Sequence, residues 1–143
     1  MTNKQLKAIG IAIGVCYLLS ATMECYLVDG QATIGSFGFV ALLLGWMNFD
    51  LLTLIWLANP FFLAGLLFFF IGKNLKFSLV ISFLASILAF SFLFVDEVLK
   101  NEAGGRGKID SYLLGYWLWL SSHVLLFIIT FIRLRKSKEI ITE

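Results

Sequence analysis

The stretch YLLGYWLWLSSHVLLFIITFI, residues 112–132, decides how this chain must be read. It runs without a formal charge for about the length an α-helix needs to cross roughly 30 Å of hydrocarbon. The only histidine, His123, lies near its middle, and Arg133, Arg135, Lys136 and Lys138 follow at once. Water does not tolerate so long an apolar run on a small protein, whereas a bilayer with a basic cytoplasmic edge accounts for both halves of the pattern.

The rest of the composition agrees. Of 143 residues, 60% are hydrophobic and 14% charged, with a mean hydropathy of +0.94. The charges gather at the ends of apolar runs, which excludes a soluble domain and implies membrane lipid as the solvent. A net charge of +2 divided among helix ends leaves no nucleic-acid-binding surface. Cys16 and Cys25 are nine residues apart, on nearly opposite faces of one helix, and read as small packing residues. There is no CxxC, which argues against a quinone-linked thiol oxidase, and no lipobox precedes either cysteine. Lys4 and Lys7 before an apolar run resemble a signal peptide; the reading here is a retained helix.

Taken in order, the chain predicts an all-α, single-domain integral membrane four-helix bundle, with helices over about 8–27, 51–71, 77–95 and 112–132. In helix 1, Gly10, Gly14, Tyr17, Ala21 and Glu24 share a face. The GxxxG of Gly10 and Gly14 is a helix-packing site. Glu24, read as an intramembrane carboxylate, must face protein or water, pair, or stay protonated. Residues 34–46 are apolar, too short to span and interrupted by three glycines, so they read as a re-entrant or interfacial segment. Pro60 kinks helix 2 by freeing the carbonyl of Trp56, and Asn59 can bond the freed groups or a neighbouring helix. The other reading is that the kink opens a polar cavity. The turn holding Lys73 and Lys76 makes helices 2 and 3 a hairpin. Along helix 3, Ser78, Ser82, Ala85, Ser86 and Ala89 form a small packing side, opposite a lipid-facing side rich in Phe and Leu. Residues 96–111 read as a solvated, mobile periplasmic loop, with Asp110 or Ser111 capping helix 4.

The N-terminus, the helix 2 to 3 turn and the C-terminal tail hold two, two and four of the eleven basic residues, which places both termini in the cytoplasm. Seven of the nine acidic residues then gather on the outer face: Glu24, Asp29, Asp50, Asp96, Glu97, Glu102 and Asp110. Asn59 and His123, with Ser122 beside it, fall at similar depth. His123 is expected to meet Asn59, Ser122 or a helix 1 or 3 hydroxyl, either as a plain interhelical hydrogen bond or in proton or ligand handling. The Trp and Tyr residues of the outer half read as an interfacial belt, or else as the walls of an outer pocket closed by the apolar 34–46 segment.

WLANP in helix 2 and SYLLGYWLWLSS in helix 4 resemble segments of small, uncharacterised bacterial inner-membrane proteins with four predicted spans. The resemblance implies an inner-membrane location and a four-span architecture, and no activity. The functional expectation is a non-enzymatic interaction protein, an accessory subunit or an immunity-type protein comparable in size to those acting against pore-forming bacteriocins. It would contact a protein partner or a second copy through Asp29, Asp50, Asp96, Glu97 and Asp110 and through its small-residue helix faces. The alternative is a small oligomeric transporter or proton-coupled carrier using Glu24, Asn59 and His123. An enzyme is the weakest reading: no nucleophile motif or metal cluster is present in the sequence, and no cofactor is implied.

Overall fold

The computed structural model describes residues 2–48, 51–99 and 104–142, with backbone only for residue 48 and residues 138–142. Asp50 and Glu102 lie outside the described residues. Four helical stretches are long and apolar enough to cross a membrane: Asn3–Ala21, Leu51–Ile71, Leu75–Phe94 and Leu114–Ser137.

Helix α1 (Asn3–Ala21) starts well before residue 8 because Thr2 and Gln5 form a capping box. The Gln5 amide donates to Thr2 Oγ1 (3.2 Å) and the Thr2 amide to Gln5 Oε1 (2.7 Å), satisfying two amides at the helix start. The helix also stops early. Ser20 and Thr22 turn their hydroxyls onto the carbonyls of Tyr17 (2.6 Å) and Leu19 (2.8 Å), a local competition that Ser and Thr offer to helical bonding. The expected helix over 8–27 is therefore corrected: Glu24 sits beyond the span, in an extended segment bridged to Phe37.

The all-α expectation is corrected as well, because three strands close one end of the bundle. They are β1 (Tyr26–Val28), β2 (Glu97–Leu99) and β3 (Arg106–Tyr112), antiparallel in the order β1-β3-β2. After β1, Asp29 and Gly30 take φ of 49° and 74° and return the chain to Gln31, the left-handed pair that a two-residue hairpin turn requires. Strand β3 alternates, with Lys108 and Asp110 exposed and Gly107 and Ile109 buried. The buried side, with Tyr26, Val28 and Val98, packs over Ala58, Ala89, Tyr116 and Leu120 at the helix ends. The described part of residues 96–111 is thus mostly sheet rather than loop.

The second span is broken into α3 (Leu51–Trp56) and α4 (Ala58–Ile71), where Pro60 lacks the amide that would bond Trp56. Gly72 (φ 73°) and Asn74 (φ 54°) make the tight hairpin into α5 (Leu75–Ser91), which ends in a 3-10 turn at Phe92–Phe94. Helix α6 (Leu114–Thr142) takes in the basic run after residue 132. Its start is not capped by Asp110 or Ser111, which lie in β3. Instead the amides of Leu113 and Gly115 donate to the carbonyls of Cys25 (2.8 Å) and Glu24 (3.2 Å), so the segment after α1 supplies the missing acceptors.

Helix α5 packs between α4 and α6, and α1 lies along α6. Far from the sheet, α1 also meets α4 closely: a β-carbon on Gly10 would stand 2.7 Å from the Phe69 ring. The pair Gly10 and Gly14 thus serves contact within the chain. On α5, Ser78, Ser82, Ala85 and Ala89 are fully buried, and Ser78 Oγ donates to the Gly65 carbonyl across the hairpin (2.8 Å). Ser82 and Ser86 bond their own helix. Phe77, Val80, Phe83, Leu84, Ile87 and Phe90 are exposed on the opposite side, a surface suited to lipid and not to water.

A candidate ligand cavity beneath the sheet

Between the sheet and the middle of the bundle lies a partly open cavity of about 270 Å³. Its floor is built around one carboxamide. Asn59 Oδ1 accepts from the Tyr17 hydroxyl of α1 (3.0 Å) and from Trp119 Nε1 of α6 (2.9 Å). Asn59 Nδ2 donates to the Trp56 carbonyl (3.1 Å), the acceptor that Pro60 leaves without its helical partner. The orientation follows from partner chemistry: indole nitrogen only donates and a carbonyl only accepts, so oxygen and nitrogen cannot be exchanged. One side chain therefore ties three of the four spans together and completes the kink.

The second N–H of Asn59 Nδ2 has no acceptor among the described residues, although Asn59 is 7% exposed and lines the cavity. The hydroxyls of four lining residues, Tyr17, Ser20, Tyr26 and Tyr116, each give their proton to another group and retain accepting capacity. The other side chains facing the space are apolar or aromatic, and no charged side chain lines it among the described residues.

Helix α2 (Gly38–Leu44) and the 3-10 turn after it (Gly45–Asn48) form the side wall. Glycine fits both ends of the wall to its neighbours. A β-carbon on Gly38 would lie 2.5 Å from the Ser20 carbonyl oxygen, and one on Gly45 would lie 2.7 Å from the Trp56 ring. Trp56 Nε1 also donates to the Leu42 carbonyl (2.8 Å), satisfying an acceptor near the helix end. Phe39, Leu43, Trp46 and Met47 remain exposed on this segment.

His123 lies below the floor and is fully buried. Its Nε2 faces the Ala58 carbonyl (3.3 Å) and its Nδ1 the Trp119 carbonyl (2.7 Å), with Ser122 Oγ at 3.4 Å. The rings of Phe62 and Trp119 each pack 4.7 Å from it, centroid to centroid. Its main partners are thus backbone carbonyls, and no hydrogen bond joins it to Asn59. Glu24 is half-buried at the outer edge, and no hydrogen bond connects its side chain to Asn59 or His123 among the described residues. Of the three groups the sequence assigned to a carrier, Asn59 and His123 both contact Trp119, while Glu24 stands apart from them.

The outer acidic residues differ among themselves. Asp29 Oδ1 accepts from the Lys108 amide (3.2 Å), and Asp110 Oδ2 accepts from the Gly30 amide; both lock the β1 turn onto β3. Asp96 and Glu97 are exposed. Cys25 is buried beside the roof, and burial pushes its thiol up to about 11. The Tyr26 phenol is pushed up to about 12, first by burial and then by Cys25. Burial likewise raises Tyr112, with the Asp96 carboxylate adding to it. These groups stay protonated at neutral pH and serve as packing and hydrogen-bonding groups; Tyr26, for example, donates to the Gly35 carbonyl (3.0 Å). Among the described residues no three His, Cys, Asp or Glu side chains form a ligand set for a metal.

The sequence singled out Asn59 and the carbonyl freed by Pro60, which it does bond, but not Tyr17 or Trp119 as its partners. Tyr17 shares a face of helix 1 with Gly10 and Gly14, Trp119 lies in the apolar run four residues before His123, and Trp56 holds the carbonyl freed by Pro60. Those three signals converge on one amide only when the helices are packed. No protein-family model, curated protein or solved structure matches the chain.

Proposed function

We propose that this chain is a non-enzymatic membrane protein that holds a neutral, largely apolar small molecule in the cavity beneath its sheet. Both termini lie on the cytoplasmic side and the sheet lies outside. The observation that carries this reading is an apolar space of about 270 Å³ with no charged side chain on its walls among the described residues and the Asn59 carboxamide at its floor. Close packing normally eliminates such spaces. Pockets for small molecules combine apolar walls with a few placed polar groups. The orientation rests on the eight basic residues at the end away from the sheet.

The test is native mass spectrometry of protein released from its own membrane. A bound neutral molecule is expected on the wild type and is expected to be lost from Ala41→Phe, which fills the cavity from its side wall. Wild type and variant both emerging without a bound molecule would count against the reading.

A second reading keeps the chain as an interaction protein. The outward face of the sheet carries Glu97, Arg106, Lys108 and Asp110, and β1 and β2 each present an edge of the three-stranded order. A partner subunit or second copy docking there would be released by charge reversal at Glu97 and Lys108, with cavity binding unchanged.

A further inference from the structure

We infer that the occupant of the cavity is an uncharged planar ring bearing a carbonyl oxygen, of the quinone type, with that oxygen accepting the second N–H of Asn59. The inference rests on the ligand-binding reading above and adds the chemistry of the ligand.

Charge is decided by the walls. With no Lys, Arg, His, Asp or Glu facing the space among the described residues, a phosphate, carboxylate or ammonium group at the floor would be buried without a counter-charge, which costs far more than the apolar contacts return. A lipid headgroup is thereby excluded from the floor. A bare acyl chain is disfavoured for a different reason. It would offer no acceptor to the Asn59 carboxamide, which lines the space and whose nitrogen makes one bond to the protein.

Shape is decided by the rings. Six aromatic side chains line the space: Tyr17, Tyr26, Trp56, Phe92, Tyr116 and Trp119. Aromatic faces gain from offset stacking and edge contact with another flat ring. A dry cavity of roughly 150 Å³ accepts benzene, so about 270 Å³ has room for a two-ring body. The donor at the floor sets the remaining requirement. Tyr17 and Trp119 occupy the carboxamide oxygen, so only the nitrogen side is offered, and it calls for an acceptor such as a ring carbonyl.

The experiment uses the full chain in nanodiscs of uncharged phosphatidylcholine, with Trp46→Phe and Trp117→Phe to leave the two cavity tryptophans, Trp56 and Trp119, as reporters. The probe is 2,3-dimethyl-1,4-naphthoquinone, whose substituted double bond hinders addition of the Cys25 thiol. Its hydrocarbon counterpart, 2,3-dimethylnaphthalene, has the same rings without carbonyls. Saturable quenching by the quinone is expected. The hydrocarbon should need about fivefold more, as mole fraction in the lipid, to displace it, the factor for one neutral hydrogen bond. Ala41→Phe should abolish the saturable part while leaving far-ultraviolet circular dichroism unchanged. Displacement by the hydrocarbon at equal or lower mole fraction would overturn the carbonyl assignment and leave the cavity reading standing. Quenching that is linear, or equal in Ala41→Phe, would overturn both.

Discussion

The half of the bundle near the termini and the half beneath the sheet are closed by opposite means. Away from the sheet, small residues bring backbones together: Gly10 against Phe69, and Gly65 within 3.5 Å of Ser82, judged by where its β-carbon would stand. Arg133 closes that end, donating to the Phe69 carbonyl and lying 5.0 Å over the Phe69 ring. Beneath the sheet, large side chains hold the helices apart. Tyr17 and Trp119 reach across to the Asn59 carboxamide, which also bonds the Trp56 carbonyl of its own span, and the space above them is roofed by strands and walled by α2. The filled half resembles an ordinary membrane helix interface. The hollow half spends aromatic volume and hydrogen bonds on keeping a space open, which close packing alone would not produce.

The strongest way to break this contrast is to remove the amide. Asn59→Leu strips partners from the Tyr17 hydroxyl, the Trp119 indole and the Trp56 carbonyl at once. It should destabilise the fold by about 2–4 kcal/mol, allowing for the modest value of single bonds between membrane helices. Ser82→Ala, in the filled half, should stay within about 0.5 kcal/mol because that hydroxyl bonds only its own helix. Reversible unfolding in mixed micelles measures both. Should the two substitutions cost the same, the floor is no special tie.

Volume gives the next contrast. Ala85 is fully buried between helices, so Ala85→Phe should cost about 1–3 kcal/mol through overpacking. Ala41→Phe, entering the cavity, should change stability by less than about 0.5 kcal/mol in the same assay.

Alkaline pH separates the halves without mutation. Cys25 and Tyr26 under the roof have pKa values raised from 9.0 to about 11 and from 10.0 to about 12. Their contribution to stability is complete below pH 9 and is lost as pH rises through about 11 and 12, because the unfolded chain ionises first. Loosening of the sheet end, read as maleimide labelling of Cys25 relative to Cys16, should therefore begin above pH 9. A local loss is expected at the turn, where Asp29→Ala removes the Lys108 amide contact and should cost about 0.5–1 kcal/mol by thermal unfolding.

The four spans were legible because a run of apolar residues has only one comfortable solvent, and the break at Pro60 because proline cannot donate. The sheet was not. Strands β1 and β2 are three residues each, and β1 pairs with a segment about eighty residues away, so no local period announces them. Two local signals were nevertheless present in the sequence. Thr2 and Gln5 carry the spacing of a capping box, which sets α1 back to Asn3, and Asp29-Gly30 is a hairpin dipeptide. Hydropathy extended helix 1 past both Thr22 and Glu24, and that extension placed inside a helical span a carboxylate that the fold puts beyond the helix end. The cavity was legible only as one of two readings of the kink and of the outer aromatics, since its walls come from five separate segments.

The most direct measurement is a crystal structure grown from lipid and exposed to xenon, which binds dry apolar cavities. Density for a native guest or a xenon atom between Trp56, Leu52 and Trp119 is the expected result. Helix α2 collapsed onto Tyr17 and Trp119, with the space filled by the protein's own side chains, would contradict it.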